Sequence, residues 1–291
     1  MLFALLTLFL WTGAAYASAR SARLAGALRA NRWRLLVALP VLAAVGWWWA
    51  PDPLGPGLWW FLVAGALHLG LGDMGLFAAY RRLGPRLSLL IALCLTPLMS
   101  GVIEWWWLGT RPGWAQAFLA LLVLAAVAVA LAPTERLRLA PALWWSGIAC
   151  AVAAALGQAL GAVATRQGFA LQPDAGAVAT AAWRVAGGAG VLLVVALFWR
   201  EPAFARGHGR RLAPWLAVSV LLGPCLGIPA YQQALATVPA ALVQAVIAAL
   251  PLTIIPLAWI FDGDRPSRRA LLAGLVAVAA TSAMMLLPAA A

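Results

Sequence analysis

Five side chains limit the chemistry this chain can do. His68, Asp73, Glu104 and Arg184 stand inside long runs of apolar residues, and Arg34 stands at the start of another. A charge near the centre of a bilayer costs about 2.5–3.5 kcal/mol, so such groups must face a cavity or a partner. Their depth along the apolar runs permits two ion pairs, at opposite ends of a passage. Asp73 with Arg34 would form an inner gate, and Glu104 with Arg184 an outer one. The competing reading has both arginines snorkelling to the headgroups, with Glu104 in interfacial water beside Trp105, Trp106 and Trp107. His68 and Asp73 are the candidate proton-responsive groups if movement of a solute is proton-coupled. At ~100° per residue, five positions put them about 140° apart on a helix, so they are not expected to form a same-face dyad.

Neutral groups extend this set. Gln158, Gln232, Gln233 and Gln244 offer donors and acceptors that can orient a polar or zwitterionic solute, and the same amides also serve as contacts between helices. Catalysis fits poorly. No H-E-x-x-H, aspartate-rich cluster or Ser/His pair stands at comparable depth, and His208 falls between apolar runs. No cofactor or metal is expected, and Cys94, Cys150 and Cys225 read as small packing residues.

The elements that position these residues follow from composition. Of 291 residues, 65% are hydrophobic and 10% charged, where a soluble domain carries about 25% charged residues. Lipid must therefore be the solvent. Ten apolar runs have the ~20-residue length that crosses a bilayer: approximately 1–19, 33–50, 58–80, 85–108, 113–132, 141–165, 175–199, 213–235, 239–261 and 268–288. The first run lacks the basic n-region of a signal peptide and is read as a retained span.

Net charge is +12, and all twenty basic residues are arginine. Seventeen of them fall on one side of the ten-span topology. The opposite loops hold Arg111 and Arg166, while Arg184 lies within a span. That bias assigns the rich side to the cytoplasm, in a bacterial inner membrane, and both termini to the outside. The charge thus sets orientation, and nucleic acid is not an expected partner. The tryptophans Trp47, Trp48, Trp49, Trp59, Trp60, Trp105, Trp106, Trp107 and Trp114 gather at the opposite face as an aromatic belt.

The chain also repeats itself. Residues 97–112, PLMSGVIEWWWLGTRP, and 251–266, PLTIIPLAWIFDGDRP, share the pattern P-L-x6-W-x3-G-x-R-P without a gap. From Pro85 to Ala126, ten of 42 positions are identical at a shift of 154 residues. Pro97 and Pro251 thereby become equivalent helix-bending positions near mid-membrane, and paired interruptions in two halves point to a central cavity. Five spans per copy is odd, so the second copy enters the membrane inverted. The expected fold is an all-α bundle of ten transmembrane helices. Residues 1–132 form the first repeat, 133–140 a cytoplasmic linker and 141–288 the second repeat.

These features resemble the EamA domain of the drug/metabolite transporter superfamily. The resemblance rests on the small-residue third helix GALHLGLGDMGLFAAYRRLGPRLSLL and its counterpart GIPAYQQALATVPAALVQAVIAALP. Each is followed by a proline-centred helix, the turn GTRP or GDRP, and a small-residue last helix. Trp33-Arg34 and Trp183-Arg184 look like the arginine that often begins the matching helix in that family. Thr110 departs from the acidic residue usual in the family's turn, which Asp264 supplies in the second copy. The resemblance implies a gradient- or exchange-driven exporter of small metabolites, amino acids or amphipathic compounds working by alternating access. A flippase for a lipid-linked substrate shares the architecture. A homodimer is an assembly this reading leaves open.

Overall fold

The computed structural model describes residues 1–49, 54–132, 140–198, 209–263 and 267–287. All regular structure among them is helical, in ten long helices: α1 (Leu2–Ala25), α2 (Ala27–Trp49), α3 (Leu58–Leu83), α4 (Pro85–Leu108), α5 (Trp114–Leu131), α6 (Pro141–Leu171), α7 (Ala177–Phe198), α8 (Gly209–Thr237), α9 (Ala240–Phe261) and α10 (Arg268–Leu286). Nine are long and apolar enough to cross a membrane. The other, α2, has 23 residues and reaches about 35 Å at 1.5 Å per residue; the arginines in its first turns separate it from the rest.

Most ends agree with the apolar runs, but three do not. α1 continues to Ala25, α2 begins at Ala27 and α6 continues to Leu171. An apolar-run reading stops at the first arginine, whereas arginine and alanine are both good helix formers and carry the backbone on. What stops α1 is Gly26, at φ 86°. Arg34 therefore lies seven residues into α2 rather than at its edge, and Arg166 lies within α6 rather than in a loop.

Packing follows the duplication. α2 lies against α7, α5 against α10 and α4 against α9, while α1 packs on α8 as α6 packs on α3. With each repeat containing five spans, the copies are inverted. Gly109 and Gly263, one repeat apart, end α4 and α9 in the left-handed region at φ 70° and 74°. There glycine avoids the Cβ clash. The remainder of the second turn, including Asp264, and residues 133–139 of the expected linker lie outside the described residues.

The bundle is inside-out relative to a soluble protein. Leu275 is 68% exposed and Phe198 85%, whereas Arg184 and Glu104 are each 1% exposed. Apolar side chains face out and polar ones pair within, as lipid solvent requires. Trp48, Trp59, Trp106 and Trp114 are all exposed near one end of the bundle.

Two local irregularities matter for function. Residues Ala66–Gly72 of α3 and Leu221–Cys225 of α8 form π turns. Adding 154 to 66–72 gives 220–226, so the turns occupy equivalent places in the two copies. Each packs against the first two helices of the opposite repeat: the α3 turn against α6 and α7, the α8 turn against α1 and α2. The equivalent prolines behave differently. α4 runs unbroken through Pro97, while α9 is interrupted at Ala249, just before Pro251. There the N–H of Leu252 bonds the Ala249 carbonyl at 2.8 Å in a tighter i→i+3 turn.

Candidate functional site

Glycine contact brings the central residues together. A Cβ built on Gly65 would lie 1.7 Å from the Arg184 carbonyl oxygen, and one on Gly187 2.0 Å from that of Leu62. The α3 and α7 backbones therefore touch, and Arg184 enters the bundle beside the π turn of α3. Gly190, by contrast, meets nothing within 4 Å among the described residues.

Arg184 is surrounded by neutral acceptors. Its Nη2 donates to His68 Nδ1 at 2.6 Å. Its Nη1 reaches the Thr165 hydroxyl, the Gly161 carbonyl at 3.3 Å and Gln232 Oε1 at 3.4 Å. The guanidinium also lies 5.0 Å from the centre of the Tyr231 ring. Arginine has no lone pair to offer, so His68 Nδ1 accepts and the imidazole is neutral, with its hydrogen on Nε2. Trp11 closes the group, with its ring 5.1 Å from Tyr231 and 6.3 Å edge-on from His68. Gln244 Nε2 donates to the Tyr231 hydroxyl at 2.9 Å.

One helical turn toward the arginine-rich end, Asp73 meets Arg34 at 3.8 Å. Asn31 binds both, donating to Asp73 Oδ2 at 3.3 Å and accepting from Arg34 at 2.6 Å. The expected 140° separation of His68 and Asp73 does not hold. The Asp73 N–H bonds the His68 carbonyl five residues back. A π turn is wider than an α turn, so five positions rotate the two side chains less far apart, bringing both toward one side of α3. The two arginines are also related, each seven residues into its helix and each beside the π turn of the other copy. A Cβ on Gly223 would sit 3.7 Å from Arg34 Nη1.

The expected pair of Glu104 with Arg184 does not form. Glu104 instead forms an ion pair with Arg166, because α6 extends past the apolar run and carries Arg166 inward. Glu104 Oε2 accepts the Ala240 N–H at 2.6 Å, and Arg166 Nη1 donates to the Leu235 and Val238 carbonyls at 2.7 and 2.9 Å. The carboxylate thus caps the N-terminus of α9 and the guanidinium the C-terminus of α8, each matched to the helix dipole.

Of the amides, Gln232 and Gln244 join the central group, and Gln158 packs against Gly72 of the α3 π turn. Gln233, half-buried, accepts a hydrogen bond from Thr237 through its backbone carbonyl rather than joining the group. Sequence reasoning missed Trp11, Asn31, Thr165, Arg166 and Tyr231. Asn31 was findable: three residues before Arg34, it shares a helical face once α2 is begun early enough. Among the described residues no group of three His, Cys, Asp or Glu could hold a metal.

The sequence model of the EamA-like transporter family matches residues 1–132 and 145–286. A solved crystal structure of a protein superposes with a TM-score of 0.79 at 20% sequence identity, covering 98% of this chain and 95% of that one. At that identity the likeness is one of fold. No curated protein matches the chain in sequence.

Proposed function

Because the chain belongs to the EamA-like transporter family, and so is a membrane transporter of the drug/metabolite transporter superfamily, we propose that it is a secondary carrier. It would export small metabolites, amino acids or amphipathic compounds by alternating access. The observation that carries this reading is the symmetric pair of arginines, Arg184 buried and Arg34 half-buried, each beside the π turn of the opposite repeat. Two half-structures that rock about a midplane need polar contacts between the copies, made and broken in turn.

In this reading the arginine-rich end is cytoplasmic and both termini lie outside. Asp73 with Arg34 and Asn31 forms the inner gate, and Glu104 with Arg166 the outer one. Gln158, Gln232 and Gln244 line the route, and Asp73 carries the coupling proton. No P-loop occurs in the sequence, which favours a gradient or exchange as the energy source. Reconstituted into proteoliposomes, the chain should move labelled metabolites in a saturable way. Asp73→Asn should retain exchange but lose its response to an imposed pH gradient. Unchanged pH dependence in that variant would remove Asp73 as the carrier.

A further inference from the structure

The central polar layer contains two arginines, Arg34 and Arg184, and one carboxylate, Asp73. With His68 neutral, its formal charge is +2 − 1 = +1 among the described residues. Asp73 is already committed to Arg34 at 3.8 Å and acts on Arg184 only through space. Arg184, at 1% exposure, has only neutral hydrogen-bond partners among the described residues. Among the described residues a further guanidinium–carboxylate contact, half-buried Arg166 with buried Glu104, is balanced. A buried cation without a counter-ion is costly, and supplying an anion relieves that cost. Gln232 adds a second sign, since its Nε2 is buried with no hydrogen-bond partner among the described residues.

Resting on the carrier reading above, we infer that Arg184 is the subsite for the single carboxylate of a small organic solute. Arg184 presents a planar fork of donors that fits a carboxylate through two parallel bonds. The unpartnered Gln232 Nε2 supplies a further donor next to it. A monoanion brings the layer to zero, whereas a phosphate dianion would overshoot it. Trp11 and Tyr231, whose rings meet at 5.1 Å, form an apolar wall for the body attached to that carboxylate. Thr165, His68 and Gln232 are the neutral acceptors that the incoming anion replaces on the guanidinium.

The test is counterflow in proteoliposomes of the full chain, with labelled panels of monocarboxylates, the matching neutral amides and the matching amines. Carboxylates should be carried and compete with one another, while their amides do not compete. Arg184→Gln should lower kcat/KM for the best carboxylate roughly 100-fold, and Arg184→Lys should lose less. Should Arg184→Gln fail to fold, Gln232→Glu decides instead. It places an internal carboxylate beside the guanidinium, so it should raise the Tm while raising KM for carboxylates at least about tenfold. Transport confined to amines or neutral solutes, or a Gln232→Glu variant with unchanged KM, overturns the subsite and leaves the carrier reading intact. Transport of no solute class overturns both.

Discussion

Arg166 and Glu104 illustrate how much a residue's partner depends on where its helix stops. Removing one member of a buried pair leaves the other charged and unpaired, which costs about 3–5 kcal/mol. Here each member also caps a helix end, so the loss extends to the α8–α9 corner. Arg166→Ala should therefore sharply lower the thermal stability of the purified protein. Adding Glu104→Gln should recover part of it, because a neutral amide still accepts the Ala240 N–H. Equal and additive losses in the single and double variants would show that the two side chains do not interact.

At the scale of elements, the crossing of α3 and α7 decides where the polar groups meet. Neither helix can approach the other with a Cβ at Gly65, given the 1.7 Å separation from the Arg184 carbonyl oxygen. Overpacking of a core typically costs 1–3 kcal/mol, and a contact with backbone cannot be relieved by turning a side chain. Gly65→Ala should thus destabilise by roughly 3 kcal/mol and weaken transport, while Gly190→Ala, in open space, should leave Tm and transport near the wild type. Thermal unfolding in detergent, read beside counterflow, checks both. Pro97 and Pro251 make a related point: equivalent in sequence, they produce one continuous helix and one interrupted helix.

For the whole molecule, inversion of the two copies has a direct spatial consequence. The turns after α4 and α9 must face opposite sides of the bilayer. With the three native cysteines replaced by alanine, Thr110→Cys and Ser267→Cys should be labelled by a membrane-impermeant thiol reagent from opposite faces, Thr110→Cys from outside intact cells. Labelling of both from the same side would contradict a five-span repeat. The pairing of α2 with α7, α4 with α9 and α5 with α10 across the bundle is the packing that such an inversion generates.

The number of helices, their duplication and the identity of most central polar residues were determined by sequence alone. Each follows from a local cost: apolar runs must match bilayer thickness, and ionisable groups inside them must find partners. Tertiary structure decided which partners. Helices that ran past their apolar runs moved Arg34 and Arg166 inward. Two π turns changed the rotation of α3 and α8 and brought His68 and Asp73 to one side. Trp11 entered the centre from a helix whose sequence looks merely apolar, and Tyr231 from the position beside Gln232. Partnership between distant side chains depends on helix rotation and crossing, set by backbone contacts such as that of Gly65 with Arg184. A linear pattern averaged over whole turns does not contain them.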